Sequence, residues 1–199
     1  IKKEPNWIKL KTFLFKNYRY SFGDESTFFE NIYLLAPNSI NIWTESEYKK
    51  ITLWNYEIKD NSRLTIQNAE RKFLKLLEES FKLREDSVAE NNKAFLVSGG
   101  LDSPTIATLA SMRSNKKKIG YSVCYEYKKN SNELYYDESK LIKKIIQKNN
   151  MEWRPIFINS NHVKSNIDEI FDCHDEPIST PTWISHYILA KQIFKDKID

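Results

Sequence analysis

Glycine is scarce in this 199-residue chain, with four in all, and cysteine occurs only twice. So little glycine excludes a collagen-like or glycine-rich low-complexity chain. Cys124 and Cys173 cannot build the multi-bridge framework of a small secreted domain, and they point to a reduced, cytoplasmic protein. Paired zinc-ligand spacing is absent, so Cys173-His174-Asp175 and His186 read as structural. No apolar run is long enough to span a bilayer and no secretory leader is visible, so no membrane partner is expected. A large excess of one charge is missing too: the net charge is +4, with acids and bases interleaved. Lys116-Lys117-Lys118 is the one obvious basic run and reads as a solvated loop, so no nucleic-acid partner is expected. Aromatic residues are plentiful at 14%, enough for a real core.

Two of the four glycines are adjacent, in Phe95-Leu96-Val97-Ser98-Gly99-Gly100-Leu101-Asp102-Ser103. The run reads as a buried strand, a glycine turn and a helix opening at Ser103. Without Cβ atoms, Gly99 and Gly100 let backbone N–H groups approach an anion closely. Ser98 and Ser103 add hydroxyl donors, and the helix N-terminus adds partial positive charge. Asp102 repels a bare phosphate, so its place here makes sense through a bound magnesium ion. These residues predict a polyphosphate cradle. The spacing is neither that of a Walker A loop, whose lysine is absent, nor a Rossmann G-x-G-x-x-G.

Around this loop the chain changes character. Up to about residue 60 it alternates aromatic and polar residues, as in Tyr18-Arg19-Tyr20, Ile40-Asn41-Ile42-Trp43 and Ile51-Thr52-Leu53-Trp54, which predicts short strands without a core of their own. From Leu64 the period turns helical, with Ile66, Ala69, Phe73, Leu76, Leu77 and Phe81 on one face. Strands are predicted over 94–97, 119–125 and 153–158. Helices are predicted to follow the loop, to cover 136–149, and to be marked by Val163, Ile167, Ile170 and Phe171, then by Ile184, Tyr187, Ile188 and Phe194. That alternation predicts an α/β fold, a parallel sheet with flanking helices, and places the loop at the carboxyl end of its first strand.

The Ser98–Ser103 pattern resembles the SGGxDS loop of the ATP pyrophosphatase (PP-loop) superfamily. Flanking segments narrow the resemblance. Ser26-Thr27-Phe28-Phe29-Glu30-Asn31-Ile32-Tyr33-Leu34-Leu35-Ala36-Pro37 resembles the close of a glutaminase domain, and Trp54 stands where an aromatic-Trp pair precedes the linker helix. Tyr121-Ser122-Val123-Cys124-Tyr125-Glu126 is similar to an F-S-V-G-F-E strand, and Tyr136-Asp137-Glu138-Ser139 to the Y-D-E-S opening the next helix. Asp175-Glu176-Pro177-Ile178, with Pro181, Ile184, Tyr187, Leu189 and Lys191, resembles D-E-P-I-x-x-P-x-x-I-x-x-Y-x-L-x-K. In this order the segments resemble the glutamine-dependent asparagine synthetase family. The loop alone also fits GMP synthetase, argininosuccinate synthetase and tRNA-modifying relatives.

The resemblance implies a remnant of an Ntn-type glutaminase domain over 1–60 and the N-terminal part of an ATP-pyrophosphatase domain over 61–199. It implies ATP and magnesium as cofactors, and a carboxylic acid, aspartate by default, attacking the α-phosphorus to give an acyl-adenylate and pyrophosphate. Ammonia from glutamine then displaces AMP. By matched position, Ser98, Gly99, Gly100, Asp102 and Ser103 would hold the departing pyrophosphate, with Asp102 on magnesium. Val97 and Val123 would meet adenine through strand backbone groups.

Sugar, peptide and β-lactam-forming acceptors stay open, as does a homodimer. Three departures accompany the likeness. Pro104 stands where a second serine is usual, and is expected at the first helical position with Ser103 as N-cap and a weakened phosphate grip. Asn38 replaces the glycine of Pro-Gly, keeping a left-handed turn. The family's nucleophilic N-terminal cysteine and its S-G-x-G-x-D-E loop are not in these residues, and Ile1 is not a methionine. A fragment, inactive alone, is therefore expected; the alternative is a truncated, non-catalytic nucleotide-binding or interaction homologue.

Overall fold

The computed structural model describes residues 3–19, 24–54, 57, 64–89, 93–114, 116–126 and 137–198. The chain divides into two units, Ile1–Arg63 with Glu176–Ser179, and Leu64–Asp175 with Thr180–Asp199. In the first unit Asn6 opens helix α1 (Trp7–Lys16) by accepting the Lys9 N–H at 3.0 Å, and Asn17 closes it at φ 54°. This helix corrects the expectation of short strands alone. Its inward face is only Lys9 and Phe13, four residues apart, too narrow a stripe to stand out among exposed Trp7, Ile8, Leu14 and Phe15. Tyr18 and Arg19 are outside any strand, and Tyr20 lies outside the described residues.

Strands β1 (Ser39–Trp43) and β2 (Tyr48–Thr52) do form, as an antiparallel hairpin pairing Ile40 with Ile51. β2 is exposed along its whole length. The buried centre of this unit is small. Phe28 meets Phe13 edge to face at 5.5 Å, and the buried Lys9 ammonium pairs with Asp24 at 2.7 Å. Asn38 adopts φ 59°, the left-handed turn expected of it.

The second unit begins with α2 (Ile66–Glu85), capped by Thr65. The helix is where periodicity placed it, but its apolar face is not buried: Ile66, Phe73 and Leu76 are exposed and only Phe81 is buried. Three strands then make a parallel sheet in sequential order: β3 (Ala94–Leu96), β4 (Ile119–Tyr125) and β5 (Glu152–Ile158). Leu96 pairs with Tyr121, and Tyr121 with Arg154. Helices α3 (Asp102–Arg113) and α4 (Ser139–Lys148) join successive strands, and α5 (Ser160–Asp172) and α6 (Thr182–Lys195) follow. This is the expected α/β architecture. Of the predicted 136–149 helix, Tyr136 lies outside the described residues.

Alternation along β4 sends successive side chains to opposite faces of the sheet. One face packs Val97, Ala107, Ile142, Ile146 and Met151. Gly120 belongs to it by necessity, since a Cβ there would lie 2.5 Å from the Ile146 side chain of α4. The other face packs Tyr121, Leu189 and Ile198. There the Tyr121 phenol donates to Asp196, and Arg154 donates to the phenol at 3.0 Å and to Asp196 at 3.3 Å. Lys118 is not solvated as its lysine run suggested. It is buried, 4.0 Å from Glu85, which Arg113 also meets at 2.6 Å.

Candidate functional site

The sheet places its loop residues where parallel strands end. Val97 N–H donates to the Tyr121 carbonyl at 2.8 Å, the final rung between β3 and β4 among the described residues. Beyond it the chain leaves the sheet through Ser98, Gly99 and Gly100 and enters α3. In a parallel ladder, backbone groups of alternate residues point to the same neighbouring strand. Val123 therefore aims its N–H and C=O toward the side that β3 has already left. The side chains of Val97 and Val123 belong to opposite faces of the sheet, so they cannot line one pocket together. Their backbones can border one opening.

Two serines lock the turn. Ser103 Oγ accepts the Ser98 N–H at 2.8 Å, and the two hydroxyls lie 2.9 Å apart. Ser98 Oγ accepts the Gly100 N–H at 3.2 Å. The pair has two hydroxyl protons and uses one between its oxygens, which leaves one to donate outward. Ser98, Gly100 and Asp102 are exposed, and Gly99 is half-buried.

Helix α3 begins at Asp102, two residues before the first position expected at Pro104, with Leu101 before it and no side-chain cap. Ser103 is therefore not the N-cap; its hydroxyl is occupied by Ser98 instead. Pro104 falls at the third helical position rather than the first. Its missing N–H is still one the first turn cannot bond internally, which is why the helix tolerates it. The uncapped N-terminus leaves first-turn amides for water or an anion.

The expectation of two open glycine amides is corrected. Gly99 N–H donates to Glu138 Oε2 at 2.9 Å, and Gly100 N–H to Ser98. A Cβ at Gly99 would sit 2.9 Å from both Cβ and Cδ of Glu138, so only glycine admits that side chain. At Gly100 a Cβ would meet nothing nearer than Ser98 Oγ at 3.4 Å, which leaves space beside the loop. Glu138 was part of a quoted motif but carried no expected site role. The available signal was its position, an acid at the start of the helix after the neighbouring strand. Its neighbour Asp137 serves the helix, accepting the Ser139 N–H and hydroxyl, each at 3.0 Å.

Gly99 and Gly100 border a groove of about 430 Å³ with Leu101, Pro104, Leu141 and Ile145. A larger one, about 690 Å³, lies away from the loop between α2 and β3. Among the described residues no cluster of three or more His, Cys, Asp or Glu could hold a metal, and both cysteines are free. Burial pushes the Cys124 thiol pKa up, which suits a packed strand residue rather than a nucleophile. The donor set nonetheless fits a magnesium polyphosphate. A carboxylate already sits on the Gly99 amide, a spare hydroxyl proton and uncapped amides adjoin it, and magnesium needs only one or two protein carboxylates beside phosphate oxygens.

The second unit is thus a parallel α/β domain whose first strand ends in a serine-glycine loop, with the chain's own Glu138 carboxylate on the Gly99 amide. Residues 72–199 match the asparagine synthase family, and the chain belongs to that family. No curated protein matches the chain. No helix among the described residues is long and apolar enough to cross a membrane.

Proposed function

We propose that the chain is part of an ATP-dependent amidotransferase that activates a carboxylic acid by adenylation and amidates it with ammonia drawn from glutamine. The observation that carries this reading is the loop itself, whose Gly99 amide holds a carboxylate oxygen at 2.9 Å next to an uncapped helix start. An amide that donates to a carboxylate oxygen there can donate to a phosphate oxygen. The spare hydroxyl proton of the Ser98–Ser103 pair supplies a further donor, Gly100 N–H joins them only if it leaves Ser98 Oγ, and Asp102 would hold magnesium. The ion, when bound, neutralises charge on the leaving pyrophosphate. Val97 and Val123 offer backbone groups to adenine, a contact that depends on the strand rather than on side-chain identity.

In this account the residues contribute positioning and charge, and none needs to act as a nucleophile. Aspartate is the default acceptor, the first unit is the end of a glutaminase domain, and a cytoplasmic setting suits both. The test is product identity. The gene product carrying this chain should convert ATP to AMP and pyrophosphate with one of a panel of carboxylic acids, and Asp102→Asn should abolish this. Formation of ADP, or unchanged turnover in Asp102→Asn, contradicts the reading. A second reading, a non-catalytic homologue, draws on Gly99 and Gly100 both being engaged within the protein. It predicts no AMP with any acid.

A further inference from the structure

We infer that Glu138 is a built-in competitor for the phosphate loop, and that polyphosphate binds only after its carboxylate has left the Gly99 amide. The inference rests on the reading of Ser98–Ser103 as a phosphate loop. Gly99 has a single N–H, and it is given to Glu138 Oε2 at 2.9 Å. One proton cannot serve a carboxylate and a phosphate oxygen equally well, and two anions on one donor repel each other. The overlap involves more than one atom. The Glu138 side chain lies across Gly99 from Cβ to Oε2, within 3.0 Å of where a Cβ would stand.

The surroundings let the side chain leave without disturbing the fold. Glu138 is exposed, so its carboxylate moves from an amide to water. Its backbone stays anchored because its carbonyl accepts the Ile142 N–H at 2.9 Å. The helix start does not depend on its side chain, since Asp137 supplies both bonds to Ser139. The loop is likewise held by the Ser98–Ser103 hydroxyl pair. Closed and open states therefore differ by one side-chain rotation, and apparent affinity for phosphate scales with the open fraction. The adjacent acids divide the labour: Asp137 holds the helix and Glu138 guards the loop.

The experiment uses the ¹⁵N-labelled chain with Glu138→Ala and Glu138→Gln, titrated with inorganic pyrophosphate and magnesium. In Glu138→Ala the Gly99 amide resonance should move and lose protection from exchange. Magnesium pyrophosphate should bind about tenfold tighter, from loss of one charge-assisted bond, and Glu138→Gln should fall between that variant and the parent. Equal or weaker binding by Glu138→Ala overturns the inference, because the glutamate would then support the loop rather than compete for it. A Gly99 amide indifferent to both substitutions also overturns it, while leaving the phosphate-loop reading intact if the parent chain binds. A Gly99 amide that responds, with no pyrophosphate binding by any of the three proteins, overturns the phosphate-loop reading and the inference with it.

Discussion

Single residues in this protein are placed by which hydrogen-bond partner wins. Pro104 sits at the third position of α3, where it withholds an N–H and a hydroxyl from the end of the helix that faces the loop. Pro104→Ser should therefore tighten ATP–magnesium binding by about threefold, a fraction of one hydrogen bond to a charged group; unchanged affinity in calorimetry counts against the placement. In the first unit, the hydrogen bond from Lys9, then those from Ser26, holds the Asp24 carboxyl at about 2, against an ordinary 3.8. A lowered folded-state pKa means the folded protein prefers the ionised form. The stability from this pair is present above pH 3.8 and is lost as the pH falls toward 2. Lys9→Ala should move the Asp24 carboxyl titration seen by NMR back toward 3.8, and an unmoved midpoint would contradict the pairing.

At the scale of elements, the parallel sheet and its helices were legible because strand and helix periods alternate from Ala94 onward. What was not legible followed from local competition or from missing neighbours. The start of α3 shifted to Asp102 because Ser103 Oγ bonds Ser98 N–H and so cannot cap the helix. Helix α1 was hidden because its buried face is only two residues wide. The helical period of α2 was plain, but periodicity reports which residues share a face and not whether anything covers it; Phe73 and Leu76 are exposed. Lys118 looked solvated in its lysine run because burial beside Glu85 depends on a residue 33 positions away. Of the site, the loop could be read directly, whereas Glu138 could not, since its contact spans two strands. Another long-range link joins β4 to the end of α6. The Tyr121 phenol donates to Asp196 and accepts from Arg154, and burial first, then that bond to Asp196, pushes its pKa up. Tyr121→Phe should cost about 1–2 kcal/mol in denaturant unfolding, with the sheet retained; no loss would show that the Tyr121–Arg154–Asp196 cluster is not coupled to the packing of α6.

For the whole molecule, the two units carry different kinds of information. The first has a small buried centre around Phe13 and Phe28 and an exposed hairpin, and its relation to a glutaminase domain rests on resemblance. The second carries the family match, the parallel sheet and the Ser98–Ser103 loop. All the proposed chemistry depends on Ser98–Ser103 gripping a magnesium-bridged polyphosphate. The most direct measurement is an NMR titration of the labelled chain with pyrophosphate, with and without magnesium, for the parent and for Asp102→Asn. Saturable, magnesium-dependent shifts confined to the amides of the loop and the first turn of α3, and lost in Asp102→Asn, are predicted. Shifts that are absent, that arise elsewhere, or that persist unchanged in Asp102→Asn would contradict the account.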